Sequence, residues 1–419
     1  MVRFSLVCVL FLCACTSDGA TKTANTRDAG ASGGGTPASG GSAQAGGNPG
    51  STTGGVTGTG GRSGAGGGSG GNVSTSAGGH AVVEAGPPDA RPDTGVVIGD
   101  PGTEGDGDIT VAPPYDPHPD VLQKASSPHG KLYKFSMPSM GTLFEGLDNT
   151  LSAANQHTFT RDVRLYVPKQ YVDGKQAPFM VVQDGDGFVT DVQNSLDNLI
   201  AEKKVPIMLA VFVNNGGNDG QDSERGLEYD TMSDRYSRFI DTDVLPAAQK
   251  DAGVAADYPN LRFTDDPEGR STYGCSSGGA AALTQGWFTP DKYRRIVTYS
   301  GTFVDQQDGQ GVKAPEEVQY PLGAWEYHSD PGLIANGPVE PLRVFLNANE
   351  NDLQLDAQFN DMHHEWLVAN QRTALALKAK GYHYRFVYGK GVGHCDGDLR
   401  KATLPDTLTW MWRGYPIEP

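Results

Sequence analysis

The chain has 419 residues, a formal net charge of -17 and 57 glycines, nearly half of which fall before residue 105. That acidity argues against nucleic acid and against anionic membrane surfaces, which select Lys and Arg, and reads as a solubility feature. Past the N-terminus no apolar run is long enough to cross a bilayer.

Residues 1–15 read as a targeting segment, with Arg3 as the positive region and Phe4 to Leu12 as the apolar region. It ends in Leu12-Cys13-Ala14-Cys15, which resembles a bacterial lipobox and makes Cys15 the expected lipidation site. Thr16 rather than Asp follows, so the outer membrane or cell surface is the expected location. Residues 16–119 read as a tether. Gly30 to Gly79 is almost entirely small and polar and cannot bury a core. A flexible coil of ~90 residues spans roughly 50 Å, and the prolines from Pro87 onward stiffen its end.

From 120 to 419 apolar strand patterns alternate with helical ones. Strands are expected at Val163 to Val167, Phe179 to Val182, Ile207 to Val213, the run into Tyr273, Ile296 to Tyr299, Arg343 to Leu346 and Tyr384 to Tyr388. Between them lie helical patterns through Val189 to Ile200 and through Tyr236, Ile240 and Val244. Another puts Phe359, Met362, Trp366 and Ala369 on one face, and a closing helix runs through Leu408 to Trp412. The alternation predicts an α/β fold with a mostly parallel sheet covered on both faces.

The sharpest motif is Gly274-Cys275-Ser276-Ser277-Gly278-Gly279, between an expected strand and a helix of small residues. This is the G-x-S-x-G nucleophile elbow in its required context, which makes Ser276 the candidate nucleophile. On this fold the chain order is Ser, then acid, then His. His394 follows the last strand and is the candidate base, whereas His363, His364 and His383 read as packing or surface residues. The acid is expected in the loop after the preceding strand, as Asp352, with Glu350 as the alternative. The backbone N–H of Ser277 is one candidate oxyanion donor. The other is expected from Gly185 or Asp186, in the loop after Phe179 to Val182.

With Cys8 and Cys13 removed and Cys15 lipidated, Cys275 and Cys395 remain. They adjoin the proposed nucleophile and base, so a disulfide is expected in an oxidising compartment. Arg225, Glu228 and Tyr229 are candidate substrate-lining residues, with structural ion pairing as the alternative. The segment from Thr302 to Pro341 reads as a cap, in which Trp325 is a candidate for stacking on a sugar or aryl group. There is no H-E-x-x-H, no phosphate-binding loop and no G-x-G-x-x-G after a strand, so no metal and no cofactor is expected.

From about Ser126 to Tyr415 the chain resembles esterases of the esterase D and enterochelin esterase type within the α/β-hydrolases. The resemblance rests on Gln183-Asp184-Gly185, Glu228-Tyr229-Asp230, the elbow, Phe345-Leu346-Asn347, Asn351-Asp352 and Gly393-His394. It implies a Ser276–His394–Asp352 triad and an oxyanion hole at Ser277 and Gly185–Asp186. The Cys-Ser…Asp…His-Cys arrangement is also similar to tannases and some feruloyl esterases, in which a disulfide joins those neighbours. Both resemblances imply ester hydrolysis through an acyl-enzyme. The implied substrates are siderophore lactones, or acyl, acetyl or feruloyl esters on carbohydrates, small or polymeric. An acyltransferase using the same triad is a rival reading, and a non-catalytic binding protein on a hydrolase scaffold is another.

Overall fold

The computed structural model describes residues 102–147, 156–217, 224–306 and 319–417. The targeting segment with Cys15, the tether up to residue 101, and residues 307–318 of the expected cap lie outside the described residues. In chain order the strands are β1 (Gly107–Val111), β2 (Lys131–Pro138), β3 (Thr160–Val167), β4 (Gln176–Ala177), β5 (Phe179–Gln183) and β6 (Leu209–Val213). They continue with β7 (Arg262–Phe263), β8 (Arg270–Cys275), β9 (Arg295–Tyr299), β10 (Arg343–Asn351) and β11 (His383–Gly393). Nine of them form one sheet in the order β1-β11-β10-β9-β8-β5-β6-β3-β2, and β4 pairs separately with β7. All neighbours from β1 to β6 along the sheet are parallel. The two pairings that add β3 and β2 are antiparallel.

The unbroken apolar run of β5 is explained by burial on both faces, as in parallel sheets covered by helices. Phe179 and Val181 face a cluster with Phe239, Ile240 and Val244 from the helical residues 235–250. Met180 and Val182 face the opposite cluster, with Val192 and Leu196 of the helix Val189–Ala201 and Leu408 and Met411 of the helix Gly397–Met411. The period of two thus delivers alternate side chains of one strand to two separate cores.

Two sequence expectations are corrected. The folded domain begins well before residue 120. β1 lies inside the stretch read as tether and pairs with β11 from Gly107↔Arg385 to Val111↔Gly389. An edge strand exposed through most of its length carries little apolar signal, so composition gave no warning of it. The helix expected to carry Phe359, Met362, Trp366 and Ala369 on one face is also interrupted. A short helix, Asp356–Phe359, ends at Asn360 in the left-handed region (φ 56°), and a long helix starts afresh at Trp366. Phe359 and Met362 are exposed, while Trp366 and Ala369 are buried. β2, with apolar residues among lysines, had no counterpart among the expected strands.

Candidate active site

The candidate residues gather where β8, β10 and β11 end, at the carboxyl edge of the parallel sheet, the edge at which α/β folds bind ligands. Ser276 sits between β8 and the helix Ser277–Phe288 with φ 57° and ψ -131°. A non-glycine residue held there stores backbone strain of roughly 1–3 kcal/mol. Two main-chain bonds hold it in place: Ser276 N–H donates to Tyr299 O (3.0 Å), and Thr302 N–H donates to Ser276 O (3.0 Å). The tight turn explains the flanking glycine. A Cβ on Gly274 would lie 2.1 Å from Gly278 O.

Asp352 follows β10 and His394 follows β11. Their Oδ1 and Nδ1 atoms are 2.6 Å apart, and a carboxylate can only accept, so Nδ1 carries the proton. Asp352 Oδ2 accepts from Ser300 Oγ (2.7 Å) and from Asn349 N (3.2 Å), and Oδ1 also accepts from Leu353 N (2.9 Å). Burial pushes this carboxyl up. The bond and charge of His394, with the bonds from Ser300 and Leu353 N–H, outweigh it and hold the group below its ordinary value. Glu350, the alternative acid, instead accepts from Gly391 N–H (2.7 Å).

Ser276 Oγ lies 3.4 Å from Thr302 Oγ1. His394 Nε2 is buried without a hydrogen-bond partner among the described residues. Asp352 and His394 are therefore joined, while the Ser276 hydroxyl rests on Thr302. Trp366 braces both sides. Its Nε1 donates to Thr302 Oγ1 (3.1 Å), and its ring meets His394 edge-on, centroids 6.0 Å apart. Cys275 and Cys395 form a disulfide with a Cα separation of 6.1 Å, tying the residue before Ser276 to the residue after His394.

Ser300 was not found from sequence. It follows β9, next to the nucleophile strand, and its Oγ also accepts from Cys395 N–H (3.1 Å). One hydroxyl thus joins the acid, the disulfide and the backbone beside the base. The available signal was positional: a hydroxyl just past the carboxyl end of a central parallel strand.

The Gly185–Asp186 turn lies beside β6. A Cβ on Gly185 would meet Phe212 Cβ at 2.4 Å, which keeps this position a glycine. Asp186 N–H donates to Asn214 Oδ1 (3.1 Å), and Gly187 and Phe188 N–H donate to Asp184 O and Gly185 O. Ser277 is the first residue of the nucleophile helix, where backbone N–H groups are left over by the helical pattern.

The expected substrate-lining residues are placed differently from one another. Glu228 is buried in a bidentate pair with Arg161 (Nη1 to Oε2, 2.8 Å) and also accepts from Gly216 N–H. Tyr229 is fully buried, and its hydroxyl accepts from Asp184 N–H (3.3 Å). Both side chains thus have their polar atoms bonded within the protein. Arg225 pairs with both carboxylate oxygens of Asp184 and covers the Tyr229 ring, so it holds the turn that precedes Gly185. Trp325 is 7% exposed, packed against His328 and His363 with Arg372 over its ring. Its faces are taken by protein, not left open for a sugar. Glu224, which sequence did not single out, is buried near Glu228. Burial first, and the Glu228 charge second, push its carboxyl up to about 8.

Two sets of side chains bring possible metal ligands within 4.8 Å of one another: Asp305, Asp361 and His363, and Asp356, Asp361 and His364. Asp361 Oδ1 already accepts from His363 N–H (3.0 Å) and bonds His364 Nδ1 (2.8 Å).

A mostly parallel sheet, an elbow at the end of β8 and an Asp–His pair beyond β10 and β11 define the α/β-hydrolase fold. The chain belongs to the Putative esterase family, whose model matches residues 155–402. It is 27% identical over 223 residues to the iron(III) enterobactin esterase of Dickeya dadantii (strain 3937), a match covering 50% of this chain and 44% of that relative. The chain thus spans less than half of the relative's length. Among solved structures it is similar to a ferulic acid esterase, with 18% identity, 68% of this chain and all of that one covered, and a TM-score of 0.46. It is also similar to the enterobactin esterase of Shigella flexneri, with 18% identity, 71% and 62% coverage, and a TM-score of 0.45. Among the described residues no helix is long and apolar enough to cross a membrane.

Proposed function

We propose that this protein is a serine carboxylic ester hydrolase, held at the outer membrane or cell surface by a lipid on Cys15. The observation that carries the enzymatic reading is the 2.6 Å Asp352–His394 bond beside a strained serine elbow, with the flanking residues joined by a disulfide. In the proposed reaction the Ser276 side chain turns from Thr302 toward His394 Nε2, which takes its proton as Oγ attacks the ester carbonyl. Asp352 keeps the proton on Nδ1, orients the ring and stabilises the imidazolium. The N–H of Ser277 and one from the Gly185–Asp186 turn hold the tetrahedral oxygen. His394 then passes its proton to the leaving alcohol. Water, activated in the same way, cleaves the acyl-enzyme and releases the acid.

The family membership and the enterobactin esterase relative point to carboxylic esters as substrates. The proposed range is acyl, acetyl or feruloyl groups on carbohydrates, and siderophore lactones. The deciding experiment gives the purified, oxidised protein p-nitrophenyl acetate, methyl ferulate, acetylated xylan and a catecholate trilactone, with Ser276→Ala as control. Turnover abolished by the substitution supports the serine mechanism, and the preferred ester names the substrate class. Ser276→Ala retaining near-full turnover would sink the reading.

A further inference from the structure

Asp230 is a buried carboxyl that the catalytic steps above do not use. It ends the helical turn Gly226–Asp230 and is 3% exposed. Its Oδ2 accepts from Gln306 Nε2 (3.2 Å), and the same amide nitrogen lies 3.5 Å from Ser277 Oγ. Its Oδ1 is buried without a hydrogen-bond partner among the described residues. The Gln306 amide thus bridges the Asp230 carboxyl and the Ser277 hydroxyl. The Ser277 side chain is therefore linked to Asp230 through Gln306, while its backbone N–H is the group assigned above to the oxyanion.

Both negative charges would draw on the same helix N-terminus. The field and free N–H groups at the start of the twelve-residue helix Ser277–Phe288 favour one anion close by. A second anion behind the first residue competes for them and repels the charge that forms in the transition state.

Resting on the esterase reading, we propose that Asp230 is a positioning residue of the oxyanion side: its neutral form fixes Ser277 and leaves the helix N-terminus to the tetrahedral oxygen, and its ionised form weakens that hold. The charged groups facing it are Arg225, which favours the carboxylate, and Asp184, which disfavours it, with Glu228 on the same turn and Glu224 just before it. Burial is the largest influence and pushes the Asp230 carboxyl up to about 7, against the pull of Arg225, Ser277 and Gln306. The group is thus neutral below that point and ionised above it.

The test is the pH profile of kcat/KM for p-nitrophenyl acetate, corrected for spontaneous hydrolysis. The wild type should give a bell. The descending limb, near pH 7, comes from ionisation of Asp230. Asp230→Asn should remove the descending limb and raise the ratio of rates at pH 8.5 and pH 6 by about tenfold, the scale of one nearby charge in a partly dry site. Arg225→Gln, which keeps Asp230 but removes its nearest cation, should move the descending limb to higher pH. A merely structural Asp230 would lower activity at every pH and leave the shape alone. The proposal is overturned if Asp230→Asn keeps the wild-type descending limb, or if the wild type shows none up to pH 9. A Ser276→Ala control that stays active would instead defeat the hydrolase reading itself, so the two failures are distinct.

Discussion

Ser300→Ala is the sharpest test of how the base is held. The substitution removes one hydroxyl that donates to Asp352 Oδ2 at 2.7 Å and accepts from Cys395 N–H at 3.1 Å. A hydrogen bond to a charged group contributes about 1.5–3 kcal/mol, and the part-buried Cys395 N–H left without its partner adds about 1 kcal/mol. Together they predict a stability loss of about 3 kcal/mol. They also predict a 10- to 100-fold fall in kcat/KM, as the imidazole loses part of its fixed orientation, at one factor of ten per ~1.4 kcal/mol. Ser300 sits at φ 44°, so Ser300→Gly, which carries no strain there, separates backbone from hydroxyl: both variants should lose comparable activity. The loss should also narrow the acid range. Asp352 is held below its ordinary value in the fold, so its stabilisation is complete above the ordinary carboxylate range and disappears as pH falls through the lowered value. Without Ser300 that lowering shrinks, and with it the stabilisation from Asp352 at neutral pH. Urea unfolding at pH 4 and pH 7, alongside steady-state kinetics, reads all of this. An unchanged urea midpoint with kcat/KM within twofold of wild type for Ser300→Ala would refute the reasoning.

Other substitutions probe separate parts of the fold. Cys395→Ser opens a bridge between residues 120 apart in sequence. It should lower stability by up to about 4–5 kcal/mol on the chain-entropy estimate, and reductant should reproduce the effect in the wild type but not in the variant. Glu228→Gln leaves the buried Arg161 guanidinium without its anion and should cost about 3–5 kcal/mol in urea unfolding. Glu224 is neutral in the fold up to about pH 8 but ionises near 4.5 when unfolded. Its contribution is therefore complete below that lower value and is lost as pH rises through about 8. Glu224→Gln should accordingly flatten the stability profile between pH 5 and pH 8 and leave the variant relatively more stable at the alkaline end. An unaltered slope would show that the group is already ionised in the native state.

The strands and the residues that carry chemistry were legible for different reasons. β5 and the Ile296-Val297 and Val344 to Leu346 stretches of β9 and β10 are buried on both faces, so their apolar runs need no partner to be recognised, whereas β8, which is largely polar in sequence, was placed by the elbow that follows it. The elbow, His394 and Asp352 are fixed by chain order and by strands just before them, both local properties of sequence. Ser300, Thr302, Gln306 and Asp230 escaped because their significance lies in contacts with residues far along the chain. Ser300 meets a carboxylate 52 residues on, and Gln306 one 76 residues back. Nothing in Tyr299-Ser300-Gly301 announces that. The helix expected through Phe359 failed because periodicity cannot see a left-handed Asn360 that turns the chain between two apolar residues three apart. Glu228 and Trp325 look alike in sequence whether they meet substrate or core, and only their burial separates the two cases.

The edge position of β1 also has a mechanical side. A load applied at the N-terminal end of β1 enters the sheet through this strand. β1 runs parallel to β11, with five residue pairs in register, so a pull on its N-terminal end shears the ladder and loads those pairs together rather than peeling them apart singly. Around it Asp106 bonds His383 and Trp410, Arg385 holds Gly105 O, and Tyr115 reaches back to Val111 O. These contacts brace the edge strand at both ends. β11 is also the strand that ends at Gly393, immediately before His394. A load on β1 would then be borne by the neighbour of the strand that precedes His394. The far end of that strand is stitched by Cys395 to the nucleophile turn, so the catalytic geometry stays closed while the edge carries the tension.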